Sequence, residues 1–228
     1  MDAPAVSTAQ LSDACVRLGI EPRLAPVGIR PVDSKLTVAG PIRPVRHYGS
    51  VDVFFEAFEL ASDGEVLVID NGGRDDEGCI GDLTAIEARL AGLAGIIVWG
   101  LHRDDREIRE LGLPVFSYGT WPVGPRRVDP RENEALQSAR FGGITLTADD
   151  WVFGDADGVL FIPASRVDEA VAVARDIGRT ERAQAERVAR GQTLRDQLRF
   201  GEYLERHAQD ESYTLRDHLR AIGGAIEE

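Results

Sequence analysis

Two uninterrupted apolar runs, Val66-Leu67-Val68-Ile69 and Ile96-Ile97-Val98-Trp99, constrain this chain more than any other feature. A strand with one wet face alternates apolar and polar residues, so a strand that is apolar throughout must be covered on both faces. That points to parallel strands within an α/β sheet. The intervening segment agrees, because residues 84–91 read as a helix, and the alternation continues with a helix at 105–111 and a strand at 114–116. Open α/β sheets bind ligands beyond the C-terminal ends of their strands. Here the second run delivers His102, Arg103 and Asp104 to that place.

The flanking sequence predicts the remaining elements. Residues 7–18 read as a helix with Ser7 as N-cap, Gln10 closing a capping box, Leu11, Ala14, Cys15 and Leu18 on one face, and Gly19 as the stop. Residues 21–45 hold too many prolines for a helix and read as loops and short strands, with 36–39 as the best strand. A helix is expected at 51–61, then a turn at Asp63-Gly64 into a strand at 65–70. The glycine-rich polar stretch 71–79 is either a surface connection or a rim of the pocket. The proline-rich stretch 118–133 either closes over the site or crosses the surface.

Short strands are expected at 141–146, 151–153 and 159–162. The last two are joined by Gly154-Asp155-Ala156-Asp157-Gly158, which resembles a calcium loop but lacks the closing glutamate and reads as a hairpin turn. Residues 165–190 form a long helix with Val167, Ala170, Val171, Ala174 and Ile177 at core spacing, stopped by Gly191, and helices follow at 194–206 and 215–222. The expected organisation is one α/β domain at 1–163, with 164–228 as its helical arm, either solvated or clasping another subunit.

Composition excludes several functions. A net charge of −13 argues against a nucleic-acid surface, which needs clustered cations. No apolar run approaches the ~20 residues that span a bilayer, and the first residues lack the basic and apolar regions of a secretory signal, so a cytoplasmic location is expected. Cys15 and Cys79 lack metal-ligand spacing and read as reduced thiols. Lys35 is the only lysine, and it lies in a Pro- and Val-rich stretch far from residues 81–107 in sequence. Carbonyl chemistry through a lysine Schiff base is thereby disfavoured relative to a metal-assisted route.

The candidate site is the unit Gly81-Asp82-Leu83-Thr84 together with Arg103-Asp104. Leading amides of a helix after Gly81 can hold a carboxylate. Arg103 is a permanent planar cation suited to a carboxylate or oxyanion, or else a surface ion-pair partner of Asp105 or Glu107. Asp104 is either a helix cap or a hard oxygen ligand, for which Mg²⁺ or Mn²⁺ is the matching ion. Strand alternation sends His102 to the side opposite Arg103, and His47, His207 and His218 are scattered.

Taken together, Gly81-Asp82-Leu83, Gly95-Ile96-Ile97-Val98, Gly100, Arg103-Asp104 with Glu107, Leu113-Pro114-Val115-Phe116 and Asp155-Ala156-Asp157-Gly158-Val159 resemble the RraA-like family (regulator of ribonuclease activity A). Glu107 completes a pattern found in its class II 4-hydroxy-4-methyl-2-oxoglutarate aldolase branch. The resemblance implies a swivelling β/β/α core, assembly as a homotrimer or hexamer, and a divalent ion bound through Asp104. It implies that Gly81, Asp82, Leu83, Thr84 and Arg103 bind a small 2-oxo acid and that Asp82 and Glu107 assist near the ion. It also implies that an acid from a neighbouring long helix, with Glu181 the candidate here, approaches the site. The implied reaction is retro-aldol cleavage to pyruvate with oxaloacetate decarboxylation. The alternative is a non-catalytic regulator that binds a ribonuclease. Trp99 departs from the small or acidic residue of many relatives, which leaves the substrate's carbon skeleton open.

Overall fold

The computed structural model describes residues 6–223, so the outermost residues of both expected segments, 1–5 and 224–228, lie outside the described residues. In chain order the first elements are α1 (Thr8–Arg17), β1 (Arg23–Leu24), β2 (Arg30–Pro31), β3 (Val38–Arg46), α2 (Asp52–Glu59), β4 (Val66–Asp70) and β5 (Gly78–Ile80). There follow α3 (Asp82–Leu90), β6 (Gly95–Trp99), β7 (Leu101–His102), α4 (Asp105–Leu111) and β8 (Val115–Ser117). The hairpins β9 (Ser138–Phe141) with β10 (Ile144–Thr147) and β11 (Asp150–Asp155) with β12 (Gly158–Pro163) precede the helices α5 (Val167–Ala189), α6 (Leu194–Gln197), α7 (Phe200–Gln209) and α8 (Leu215–Ile222).

The two apolar runs pair as expected. Val66 to Asp70 lie in parallel register against Gly95 to Trp99, and β3 and β8 extend the same parallel block on either side. Side chains alternate between two cores: Leu67, Ile69, Ile96 and Val98 pack under α2 and α3, while Val66, Val68 and Ile97 face the other way. The full sheet runs β1-β12-β11-β3-β4-β6-β8-β2, and it curls until β2 lies beside β11 and β12. Phe116, Phe161 and Ile42 fill the concave side, which the β9–β10 hairpin plugs with Ala139, Phe141 and Leu146. Over the antiparallel half, Leu11, Ala14 and Cys15 of α1 pack with Ala170, Ala174 and Ile177 of α5 against Phe153, Leu160 and Ile162. This curled α/β fold, with its N-terminal helix and helical C-terminal arm, is the expected architecture.

Three local expectations are corrected. The strand read at 36–39 runs from Val38 to Arg46, straight through Pro41 and Pro44. Its register explains why. Antiparallel pairing with β11 ends at Pro41, and the Arg46 amide points away from β4, to the Ala135 carbonyl; Pro44, two residues earlier, therefore lacks its N–H on that same outward side. The strand read at 141–146 is a hairpin, folded at Gly142 with φ +60°. The helix read at 194–206 is broken at Arg199, φ +48°, into α6 and α7. The arm folds on itself there: buried His218 of α8 bonds the Leu198 carbonyl at 2.9 Å, and Tyr203, Tyr213 and His218 cluster. Among the described residues no helix is long and apolar enough to cross a membrane.

The tight turn after β11 has a structural use. Asp155 accepts hydrogen bonds from the Thr8 amide and hydroxyl, both at 2.7 Å, and from the Asp157 amide at 2.9 Å. One carboxylate thus fixes the hairpin turn and caps the start of α1. Asp155→Ala is expected to lower unfolding free energy in urea by about 1–3 kcal/mol through the lost capping bonds. Calcium is expected to leave the melting temperature of the natural protein unchanged.

Candidate active site

The turn after β7 brings the predicted residues together. Its hinge is Asp104, which adopts the left-handed conformation (φ +61°, ψ +43°) at the start of α4, one that Asp tolerates better than most residues. As a consequence its carboxylate makes no side-chain cap on α4. It turns to the neighbouring helix instead, where Asp104 Oδ2 lies 3.3 Å from the Asp82 amide at the first turn of α3. Arg103 is anchored through its own amide to the Ile80 carbonyl at 2.9 Å, and its Nε lies 3.5 Å from Asp104 Oδ2.

Glycine at position 81 is required by contact, since its φ of −138° suits any residue. A Cβ there would overlap Asp104 Oδ2 and crowd the Arg103 side chain. On the other side of the arginine, a Cβ at Gly124 would come within 2.7 Å of Arg103 Nη1, so that the end of this flexible side chain would have to shift. Gly124 also lines an open cleft of about 540 Å³ with Trp121, Glu77, Arg74 and Arg127. Both members of the Arg103–Asp104 pair remain open to solvent, with 47% and 36% of the side-chain surface exposed.

The amides at the head of α3 are less free than the sequence implies. The Asp82 amide faces Asp104, and the Leu83 amide donates to Asp82 Oδ1 at 2.7 Å. Two carboxylates therefore already occupy the anion-attracting end of this helix, and an incoming carboxylate meets Arg103 first. Leu83 is exposed, and Thr84 is half-buried. Among the described residues no three His, Cys, Asp or Glu side chains form a metal cluster. Asp104 still suits an ion that keeps most of its waters and takes one or two carboxylates, because its 3.3 Å and 3.5 Å contacts are long and its surface is open.

The other candidates sit as follows. Glu107 bonds Arg106 at 2.7 Å, and its own amide with that cation holds its carboxyl below the usual range. Asp105 serves Arg109 at 2.6 Å and also lies 3.3 Å from His102 Nε2. His102 is buried, 2.7 Å from the Ser117 hydroxyl through Nδ1, and burial depresses its pKa. Glu181, on α5, accepts from Gln10 within this chain at 2.9 Å. Trp99 donates to the Tyr118 hydroxyl at 3.2 Å and packs on Phe141. Lys35 is exposed on a loop.

The sequence reading missed a buried polar group at the ends of β3 and β4. His47, Asn71, Glu77 and Arg127 are linked there beside a cavity of about 240 Å³. Its only sequence signal was the density of polar residues in 70–77, which solvated loops share.

An α/β sheet whose C-terminal edge sets an arginine and a carboxylate against a helix start has these groups at the place where open α/β sheets meet their ligands. The chain belongs to the RraA-like family, whose description is Aldolase/RraA and whose model matches residues 8–161. A relative from Halalkalibacterium halodurans, named "Putative 4-hydroxy-4-methyl-2-oxoglutarate aldolase", is 30% identical over 180 residues, 78% of this chain and 82% of its own length. Protein DlpA of Legionella pneumophila is 31% identical over 82% of this chain, which spans only 31% of DlpA. Among solved structures, Streptomyces coelicolor RraAS2, described as an unusual member of the RNase ES inhibitor RraA protein family, superposes with TM-score 0.67. It is 30% identical, and the match covers 80% of this chain and 93% of that one.

His102 and His47 both have pKa values depressed below 6.5, chiefly by burial. The unfolded chain then binds more protons than the folded one as pH falls below 6.5, so their contribution to stability is present above that pH and lost toward the lower folded-state pKa. Urea unfolding between pH 7.5 and 5.5 is expected to show stability declining with acidification, with a shallower decline in His102→Gln.

Proposed function

We propose that this chain is a lyase that cleaves 4-hydroxy-4-methyl-2-oxoglutarate or 4-carboxy-4-hydroxy-2-oxoadipate to release pyruvate, and that also decarboxylates oxaloacetate. The observation that carries the reading is the convergence of Arg103 and Asp104 on the Gly81 turn, beside an open cleft. The relatives named as aldolases support the choice of substrate class. In both reactions a bond next to a 2-oxo acid breaks and its electron pair passes to the oxo group as a pyruvate enolate.

Arg103 binds the substrate's carboxylate or the developing enolate oxygen through its planar donor fork. Asp104, with water completing the shell, would hold Mg²⁺, Mn²⁺ or another divalent ion. Such an ion, when bound, supplies Lewis acidity toward the keto oxygen. Asp82, whose Oδ1 is fixed by the Leu83 amide, orients water at the helix start and takes the proton from the C4 hydroxyl of the aldol substrate. The proton taken by Asp82 is then passed back through the same water to the enolate carbon, which restores both the carboxylate and the water. Gly81, Leu83 and Thr84 shape the turn that receives the substrate. The reading includes assembly as a homotrimer or hexamer in the cytoplasm, with Glu181 of a neighbouring subunit or Glu107 completing the site.

A second reading, a non-catalytic regulator that binds a ribonuclease, is favoured by the description of Streptomyces RraAS2. Coupled assay of pyruvate release from each substrate separates the two. Turnover with Mg²⁺, abolished by chelator and restored by added metal, is expected. Asp104→Asn is the informative variant, because Asn tolerates the left-handed backbone while losing the charge. It is expected to keep the wild-type melting temperature within a few degrees and to lower kcat/KM by about 100-fold or more, a loss comparable to removal of a direct transition-state contact. Absence of turnover in the wild-type protein with any divalent metal would leave the regulator reading standing.

A further inference from the structure

The sequence leaves open whether the proline-rich stretch 118–133 closes over the site or crosses the surface, and backbone hydrogen bonds answer that. The Trp121 amide donates to the His102 carbonyl and the Gly78 amide to the Val123 carbonyl, both at 2.8 Å, which ties the stretch across β5 and β7. Further along, the Asp129 amide donates to the Tyr48 carbonyl at 2.8 Å, and Gly49 packs so closely on the Arg127 carbonyl that a Cβ would overlap it. Residues 121–129 are therefore held at both ends, with Pro122 and Pro125 fixing φ between them. So held, Trp121, Val123, Gly124 and Arg126 line the open cleft of about 540 Å³.

The charges in that cleft do not cancel. Three arginines and two acids line it. Asp76 accepts from Arg74 at 2.6 Å, while Glu77 accepts from Arg127 at 2.9 Å and lies 3.6 Å from Arg74, so both acids already have a cation. Arg126 is exposed, and among the described residues no hydrogen bond or ion pair engages its guanidinium. In a chain of net charge −13, acids are in excess and the overall field repels anions. An arginine left without an acid inside a cleft is thus a local exception, and its planar fork matches one carboxylate.

Its position fits the proposed chemistry. Gly124 lies against Arg103 Nη1, so the cleft borders the substrate-binding arginine there. Arg126 follows two residues later, its backbone within about 7 Å of Gly124. A substrate with a carboxylate at each end can engage both guanidiniums, and Trp121 and Val123 offer apolar surface to the carbons between. We infer, resting on the lyase reading, that Arg126 is a specificity-determining residue of this site. Its guanidinium takes the carboxylate on the half of the substrate that leaves, while Arg103 takes the 2-oxo acid end. The leaving half is accordingly selected as an acid, and a neutral ketone or aldehyde is disfavoured in its place.

The test compares acids that differ only in that carboxylate, on the full chain with Mg²⁺. For binding, 2-oxoglutarate is set against 2-oxopentanoate, neither of which carries the C4 hydroxyl that cleavage needs. For turnover, 4-hydroxy-4-methyl-2-oxoglutarate is set against 4-hydroxy-4-methyl-2-oxopentanoate, whose cleavage gives pyruvate and acetone. Calorimetry is expected to show the diacid bound more tightly by about tenfold or more, the scale of one charge-assisted hydrogen-bonded contact, and kcat/KM to show the same preference. In Arg126→Ala and Arg126→Gln, which remove an exposed and unpaired side chain, the preference is expected to disappear while the melting temperature stays at the wild-type value. A wild-type protein that binds neither acid, or binds both equally, would overturn the proposal, as would a preference unchanged in the two variants. Absence of pyruvate from every substrate would instead remove the lyase reading, and the calorimetric preference would still decide whether Arg126 reads the second carboxylate.

Discussion

Parallel pairing of β4 with β6, buried on both faces, is the constraint from which the rest follows. Parallel neighbours need crossover connections, and these place α2 and α3 on one face of the sheet. The opposite face must then be covered by something else, and the chain does this by curling the sheet and inserting the β9–β10 hairpin. A parallel block also aligns its C-terminal ends on one edge. His47, Asn71, Arg103 and Asp104 all emerge along that edge.

How the edge manages its charges distinguishes its two polar regions. At the Gly81 turn, strain in the Asp104 backbone, of the order of 1–3 kcal/mol for such conformations, is accepted to turn a carboxylate toward another helix. The contacts it gains are long and solvent-exposed, so the group is presented more than it is satisfied. At His47 and Asn71 the balance is reversed. Burial is nearly complete, one side of each residue is tightly bonded, and the other side is left with an unpaired atom. The shared residues Arg74 and Arg127 make the regions neighbours without merging them.

Much of this was legible in the sequence, for identifiable reasons. The runs at 66–69 and 96–99, the capping box at Ser7 and Gln10, and the stop at Gly191 are local patterns whose physics does not depend on distant partners, and each appears in place. Strand alternation put His102 and Arg103 on opposite sides, and the buried and exposed states of the two agree with it. The errors fell where distant partners decide. Pro41 and Pro44 read as strand breakers until the neighbours of β3 are known.

The sequence by itself determined which segments had to be buried, and hence the fold class, the helices' inner faces and the edge at which ligands would be met. Only the tertiary structure decided where each carboxylate points. Asp104 could cap its own helix or face another, and Asp155 could end a turn or also hold α1; both outcomes depend on residues far away in the chain. Burial is dictated by what a residue is, whereas a hydrogen bond is dictated by what arrives beside it.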